Sequence, residues 1–351
     1  MGDFSQLPPI NAIKIYEMEM LPQWYEWINC FVELFGQWRF KDDLAYGQCC
    51  LRFCLGHPTQ SDFELINSCV IVSEDELPDN ITYAVHMNKD RDAINIASFN
   101  KYLDHYGPSK TVVILSDKMK IKSNVHGDFL LKDCATFWSN CGESDTVSAT
   151  WQRLDPVLKL YPGCKVMLTS NTNVKSGEAN GSVGSIVKIK LKPNKNQFTI
   201  HYGNCQVPAV YASDINYVAV KLDIQPDLPP KKIQPQNFTF ECKYPLPEEF
   251  CHGRMTTRTI KMKAIQLPFV SCTAVTGHKL KGAIKYHLFI PFWHYGTHNW
   301  PYVMMSRVRT RAGLFLGEKL NQEKYFEINS CIPRMLRRFE SKTPSAFHLN
   351  E

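Results

Sequence analysis

The sequence has no long run of apolar residues. Its longest apolar segments, such as Val112–Leu115 and 288–293, are far shorter than the roughly 18 residues that a membrane-spanning helix needs. The first residues have neither the basic segment nor the apolar core of a secretory signal, and Gln6 stands where a myristoylation signal needs serine or threonine. These absences predict a soluble intracellular protein without a membrane partner.

Zinc-binding cysteine pairs are also missing. None of the 13 cysteines stands in a Cys-x-x-Cys pair, and Cys251-His252 has no partner at zinc spacing. Cys49, Cys50 and Cys54 are at helical spacing and lie beside apolar residues, which is typical of a helix packed in a core. We therefore predict buried thiols and no metal site.

Positive charge is in modest excess. The sequence has 40 Lys and Arg residues against 34 Asp and Glu residues, a net charge of +6. This excess suits a polyanionic partner, although many unrelated proteins share it. Lys188, Lys190 and Lys192 alternate along a predicted strand, with Lys195 close behind. They either follow a phosphate backbone or form the solvated face of a strand.

Before residue 120, the spacing of apolar residues is helical in some segments and strand-like in others. It predicts helices over 18–35, 42–55 and 90–103, a helix opened by a capping box at 61–64, and strands at 81–86 and Val112–Leu115. Strands that alternate with helices are typical of an α/β layer with a parallel sheet.

The pattern after residue 165 is that of an all-β module. Strands are predicted at 166–168, 186–191, 197–202, 216–222 and 258–265, with a hairpin turn at Asn180-Gly181. The α/β pattern then resumes, with a strand at 270–275, a helix near 300–308 and the strand Leu314–Leu316. The sequence therefore predicts a small β module inserted into an α/β domain.

Several short motifs occur in a specific order. They are Gly-Asp-Phe-Ser-Gln at 2–6, Gln-Trp-Arg at 37–39, Thr-Gly-His-Lys-Leu-Lys-Gly at 276–282, and Tyr-Val-Met-Met-Ser-Arg at 302–307. Together they resemble the motifs of PIF-type and RecD-like superfamily 1 helicases, which move 5′ to 3′ on single-stranded DNA. The resemblance covers nearly the entire chain.

This resemblance implies a RecA-like fold. Residues 1–36 would be a remnant of the first motor lobe, and residues 37–165 and 266–351 the second lobe. Residues 166–265 would form the inserted small β-barrel. ATP would lie in the cleft between the two lobes.

The resemblance also implies roles for individual residues. Gln6 would sense the γ-phosphate of ATP, while Arg39 and Arg307 would reach it from the second lobe, with Arg307 as the arginine finger. The full set of implied nucleotide-binding residues is Gly2, Asp3, Gln6, Arg39, Gly282 and Arg307.

The DNA strand would be held by other side chains. Thr276 and His278 would touch it, and Lys279 would add charge or packing. In the inserted module, Lys188 and Lys190 would help to follow the phosphates. Single-stranded DNA is thus the implied partner.

The phosphate-binding loop of such helicases is absent. It has the pattern G-x-x-x-x-G-K-[ST], and none of the 18 glycines precedes a lysine. The acidic magnesium-binding motif is also missing, although ATP and Mg²⁺ are cofactors of the complete family proteins. We therefore expect the C-terminal part of a helicase, truncated before Met1 and inactive as an ATPase alone.

Two alternatives remain open. The chain could be a non-catalytic single-stranded DNA-binding remnant, or a remnant that does not fold stably. If it is eukaryotic, a helicase of this type would act in the nucleus or in the mitochondrion.

Overall fold

A computed structural model describes Leu7 and residues 38–79, 81–121, 155, 157–245, 257–297 and 299–325. Strand residues 117–121, 239–245 and 257–263 are described by their backbone alone. The helix predicted over 18–35 lies outside the described residues. The described residues contain no helix that is both long enough and apolar enough to cross a membrane.

The described residues form four α-helices and several 3₁₀ turns. The α-helices are α1 (Leu44–Leu55), α2 (Gln60–Asn67), α3 (Asn88–Tyr106) and α4 (Trp300–Met305). The 3₁₀ turns are Trp38–Phe40, Glu74–Glu76, Pro108–Lys110, Val174–Ser176, Ala212–Asp214 and Arg311–Gly313.

The strands are numbered in chain order. They are β1 (Thr82–Val85), β2 (Val112–Leu115), β3 (Asp117–Ile121), β4 (Val157–Leu160), β5 (Lys165–Leu168), β6 (Val183–Leu191), β7 (Phe198–Tyr202), β8 (Cys205–Tyr211), β9 (Ile215–Leu222), β10 (Lys231–Ile233), β11 (Gln236–Pro245), β12 (Thr257–Gln266), β13 (Phe269–Ser271), β14 (Ala274–Thr276), β15 (Leu288–Ile290) and β16 (Leu314–Leu316). The chain divides into two compact units, one formed before residue 92 and after residue 273, the other by Asp92–Thr273.

The first unit, here called the α/β unit, is built on a parallel sheet. Its strand order is β14-β1-β15-β16, and every pair is parallel. Side chains on both faces are buried, among them Ala84, Val275 and Ile290, as expected for a parallel sheet covered on two sides. The predicted α/β class with a parallel sheet is confirmed.

Helices α1 and α2 are joined by an ion pair. Asp62 is 2% exposed and accepts from Arg52 through both carboxylate oxygens, Nε to Oδ2 at 2.7 Å and Nη2 to Oδ1 at 2.5 Å. Asp62 also accepts from the backbone N–H of Thr59, whose hydroxyl caps α2 in return. The capping box predicted to begin at Ser61 is therefore wrong by two residues, because Thr59 supplies the N-cap.

The second unit, here called the β-rich unit, contains mainly antiparallel sheets, with one parallel pair between β2 and β8. One sheet has the order β10-β9-β6-β5-β13, another the order β4-β2-β8-β7, and a third the order β11-β12-β3. Apolar side chains from the first two sheets meet in one core, with Val166, Ile186 and Val220 at its centre. The closure of these strands into a barrel stays a prediction.

The boundary between the units differs from the predicted one. The sequence analysis assigned residues 92–165 to the α/β lobe, but β2 pairs with β4 and β8, which lie in the β-rich unit. Phe99 and Leu103 of α3 pack against the same strands. The described residues between 92 and 165 thus group with the β-rich unit, while the bounds of the predicted domains stay a prediction.

Replacing Asp62 by asparagine tests the ion pair. Arg52 chiefly, and Thr59 to a smaller degree, lower the pKa of Asp62 against the opposing effect of burial. Because the pKa is lower in the folded than in the unfolded state, this stabilisation is present at neutral pH and is lost as the pH falls below about 4. We expect Asp62→Asn to reduce the free energy of unfolding by about 2 kcal/mol at pH 6, and by much less near pH 3.

Urea unfolding monitored by circular dichroism at the two pH values measures this difference. The matched control is Gln60→Ala, because the Gln60 side chain makes only an exposed hydrogen bond in the same helix. An Asp62→Asn effect of the same size at both pH values would contradict the assignment.

Candidate functional site

Loops at one edge of the parallel sheet carry the residues predicted to bind DNA. Thr276 ends β14 and His278 follows it, while His86 directly follows β1, the neighbouring strand. His294 follows β15 on the other side of β1. Because the strands are parallel, all these residues lie at the carboxyl edge, where open α/β sheets bind their ligands.

The segment after β14 is a tight turn. The N–H of Lys279 donates to the carbonyl oxygen of Thr276 at 2.9 Å, and the buried Leu280 anchors the turn. Gly282 then has a φ of +78°, in the left-handed region that favours glycine. Thr276 and His278 are half-buried and Lys279 is exposed, so the turn presents all three side chains at its surface.

Gly277 lets this turn pack closely on α4. A Cβ atom at Gly277 would lie 2.7 Å from Nε1 of Trp300 and 3.0 Å from Cε of Met304. Trp300 is fully buried, and its Nε1 has no hydrogen-bond partner among the described residues. Glycine is therefore required here because of space, since its φ is not in the left-handed region.

Two histidines stack beside the same turn. The rings of His86 and His294 lie 3.3 Å apart at 7°, and both meet Trp300 edge-on. Burial lowers the pKa of both histidines, and for His86 the charges of His294 and His278 lower it further, while Asp90 opposes the shift. The sequence gives no signal for this pair, because the two residues are far apart in the chain.

The carboxyl-terminal end of α4 is braced by side chains from the amino-terminal part of the chain. Arg39 donates from Nη1 to the carbonyl oxygen of Ser306 at 2.9 Å. The Tyr46 hydroxyl donates to the carbonyl oxygen of Met305 at 2.7 Å. Burial raises the pKa of Tyr46, so its hydroxyl keeps the proton that it donates.

Arg307 is enclosed at the same place. It is 1% exposed and donates from Nε to the carbonyl oxygen of Val303 at 2.8 Å, and from Nη2 to Oγ of Ser306 at 2.7 Å. Its Nη1 reaches the carbonyl oxygen of Leu280 at 3.3 Å. Arg307 therefore links α4 to the turn that carries Thr276 and His278.

The two predicted arginines thus meet at one residue but differ in exposure. Both contact Ser306, Arg39 at its carbonyl oxygen and Arg307 at its hydroxyl. Arg39 is half-buried, and its described hydrogen bonds use one of the five N–H donors of a guanidinium. In this conformation Arg39 is the more available of the two to an anionic ligand.

The remaining predicted residues belong to the β-rich unit or lie outside the described residues. Lys188 and Lys190 are exposed on β6 of the β-rich unit. The predicted nucleotide-binding residues Gly2, Asp3 and Gln6 lie outside the described residues. The described part of the chain contains no cluster of three or more His, Cys, Asp or Glu side chains that could hold a metal ion.

Replacing Gly277 by alanine tests the contact with Trp300. Because Trp300 is rigid and fully enclosed, we expect the added methyl group to lower the free energy of unfolding by about 1–3 kcal/mol. In the background of Trp300→Phe, which removes the clashing Nε1, the same alanine should cost clearly less. Equal losses in both backgrounds, measured by urea unfolding, would argue against the close approach.

Replacing each arginine by alanine separates their structural roles. Arg307→Ala should lower the free energy of unfolding by about 3 kcal/mol, because it removes three hydrogen bonds and the packing of a side chain that is 1% exposed. Arg39→Ala should cost no more than about 1 kcal/mol, because it removes one partly exposed hydrogen bond. Thermal unfolding measures both losses. Equal losses of unfolding free energy in Arg307→Ala and Arg39→Ala would contradict the difference in burial.

Comparison with solved structures finds helicases. The Pif1 helicase of Candida albicans aligns with a TM-score of 0.64 at 17% identity, covering 96% of this chain and 67% of its own. Pif1 from Bacteroides in complex with ADP-AlF3 and single-stranded DNA aligns with a TM-score of 0.60 at 17% identity, covering 97% of this chain and 66% of its own. Bacteroides Pif1 bound to single-stranded DNA gives a TM-score of 0.57, with 17% identity and 96% and 66% of the two chains covered.

The likeness is one of structure. No protein-family model matches the chain, and no curated protein matches it in sequence. The chain spans about two thirds of the length of the helicases that it resembles. The parallel sheet, with the motif at 276–282 at its carboxyl edge, is accordingly part of an α/β fold like that of the Pif1 helicases.

Proposed function

We propose that the α/β unit is the arginine-bearing second motor lobe of an ATP-dependent DNA helicase. The observation that carries this proposal is the meeting of Arg39 and Arg307 at Ser306, next to the turn with Thr276 and His278. A motor of this kind couples a phosphate sensor to a DNA contact. Here one guanidinium, that of Arg307, touches both the end of α4 and the turn.

The nucleotide would lie between this second motor lobe and the first motor lobe of the complete protein. When ATP is bound, Arg39 would offer positive charge to the γ-phosphate, which stabilises the charge that develops as the phosphoryl group leaves. The 351 residues contain no G-x-x-x-x-G-K-[ST] loop to hold the β-phosphate. The Arg39 guanidinium would contact only the γ-phosphate of the triphosphate. We therefore propose that this chain alone does not hydrolyse ATP.

DNA would lie along the carboxyl edge of the parallel sheet. Thr276 and His278 can donate hydrogen bonds to phosphate oxygens, and the exposed Lys279 adds positive charge. Bacteroides Pif1, a structural neighbour, has been solved with single-stranded DNA. We therefore propose single-stranded DNA as the partner, with translocation and unwinding in the complete protein.

A second candidate is a single-stranded DNA-binding protein without catalysis. It is favoured by the burial of Arg307, whose Nε, Nη1 and Nη2 each donate to a carbonyl or hydroxyl group of this chain. Under this alternative Arg307 has a structural role only. The motor-lobe candidate predicts that the chain hydrolyses ATP when a phosphate-binding lobe is joined to it. The binding-protein candidate predicts that it does not.

A fusion protein separates the two candidates. The phosphate-binding lobe of Bacteroides Pif1, joined in place of residues 1–36, supplies the missing loop. We expect hydrolysis of ATP by the fusion to be stimulated by single-stranded DNA, while the 351-residue chain alone shows no phosphate release. Arg39→Ala in the fusion should lower turnover by about 10³-fold, the effect of losing an arginine that contacts the γ-phosphate.

Two further measurements serve as controls for the fusion. Arg39→Ala should leave its affinity for oligo(dT) unchanged, since Arg39 does not belong to the DNA-contacting turn. The double variant Thr276→Ala/His278→Ala should weaken that affinity about tenfold. If Arg39→Ala hydrolyses ATP as fast as the parent fusion, the motor-lobe proposal fails and the binding-protein alternative replaces it.

A further inference from the structure

Strand β6 contains a bulge that reverses which side chains face outward. Ile186 pairs with Val220 on β9, and Lys188 pairs with the very next residue of β9, Ala219, so that Val187 is the extra residue. In a regular strand Lys188 would follow Ile186 into the core, because alternate residues share a face. The bulge instead turns Lys188 outward, and Val187 is also exposed.

The bulge places lysines in register across three neighbouring strands. Lys188 on β6, Ala219 on β9 and Lys232 on β10 form one row, because both lysines pair with Ala219. In the adjacent row Lys190 pairs with Tyr217. The two lysines of the first row are two strand spacings, about 10 Å, apart across the small alanine side chain.

A fourth lysine and an aromatic ring complete this surface. Lys221 lies on the same face of β9 as Ala219 and Tyr217, while Val218 and Val220 face the core. The Lys232 ammonium lies 5.2 Å from the centroid of the Tyr217 ring. We call this surface the lysine face; it consists of Lys188, Lys190, Tyr217, Lys221 and Lys232.

Other lysines nearby are tied to protein groups. Lys195 pairs with Asp214 at 2.9 Å, Lys165 pairs with Asp223 at 2.8 Å, and the ammonium of Lys192 donates to the carbonyl oxygen of Ser213. Among the ion pairs of the described residues, none includes a lysine of the lysine face. Four exposed ammonium groups that have no carboxylate partner among the described residues repel one another, so the face favours a polyanion.

We propose that the lysine face binds single-stranded DNA, with phosphates at the lysines and a base stacked on Tyr217. The proposal rests on the proposed function for its partner and extends the predicted Lys188 and Lys190 contacts to a surface of three strands. A phosphate that takes the Lys232 ammonium uncovers the Tyr217 ring for a base of the same strand. Stacking on an aromatic ring needs unpaired bases, which selects single strands over duplexes.

Salt dependence of oligo(dT) binding by the full chain tests the electrostatic part. The variant Lys188→Gln/Lys190→Gln/Lys221→Gln/Lys232→Gln lowers the net charge from +6 to +2 by four neutralised lysines. Each lost phosphate contact on a single strand reduces the slope of log K against log salt by about 0.7, so we expect a reduction of about 3. At low salt the affinity should fall at least tenfold.

A control variant carries the same charge change elsewhere. Lys89, Lys110, Lys175 and Lys319 are also exposed, and their replacement by glutamine should leave the slope within about one unit of the wild-type slope. If both quadruple variants lose the same slope, the effect is one of net charge and the proposal is wrong. Circular dichroism checks that both variants are folded.

Single substitutions at Tyr217 test the stacking. Tyr217→Ala should weaken oligo(dT) binding about fivefold or more, while Tyr217→Phe, which keeps the ring, should bind like the wild type. Duplex DNA of the same length should bind more weakly and should not respond to either substitution. Tighter binding of the duplex, or no effect of Tyr217→Ala, would overturn the stacking.

The outcomes also separate this proposal from the motor-lobe proposal. If the wild type binds oligo(dT) and the lysine-face variant binds equally well, the lysine face is wrong while the turn at Thr276–His278 remains the DNA contact. If the lysine-face variant binds oligo(dT) more weakly and Thr276→Ala/His278→Ala binds it like the wild type, the lysine face is the DNA contact and the turn at Thr276–His278 is not. A wild type that does not bind oligo(dT) would overturn both.

Discussion

The carboxyl-terminal end of α4 is the point on which the rest of the α/β unit depends. The last carbonyl groups of a helix have no partners within the helix and carry partial negative charge. Here Tyr46 satisfies the carbonyl of Met305, Arg39 that of Ser306, and Arg307 that of Val303. A six-residue helix is too short to be stable by itself, so these contacts and the burial of its side chains define its position.

The same hydrogen bonds support the proposed motor function. Arg307 is held in the protein and reaches the carbonyl oxygen of Leu280 in the turn that bears His278. Arg307 is therefore the contact through which the proposed motor lobe would pass a movement of α4 to that turn. Arg39, which shares Ser306 with Arg307, uses one N–H donor in the hydrogen bonds among the described residues. Burial thus favours a structural role for Arg307 and a ligand-binding role for Arg39, while the sequence resemblance ranked Arg307 first.

Local patterns in the sequence predicted where strands lie better than they predicted which strands pair with each other. The strands Val112–Leu115 and Leu314–Leu316 were predicted with correct bounds, because apolar runs between polar residues are a local signal. The sheet to which Val112–Leu115 belongs could not be predicted in this way, since its partner β8 follows about ninety residues later. The bulge at Val187 is likewise a property of two paired strands, so the alternation of lysines predicted only part of the lysine face. The His86–His294 stack also joins distant segments.

Hydrogen exchange at the arginine Nε–H groups, followed by NMR on the full chain, tests the central claim most directly. Because the Arg307 Nε–H donates to a buried carbonyl group and Arg39 is partly exposed, the structure predicts slow exchange for Arg307 and fast exchange for Arg39. Exchange at Arg307 as fast as at Arg39 would show that its guanidinium is not held in the protein, and would contradict the account of α4 given above.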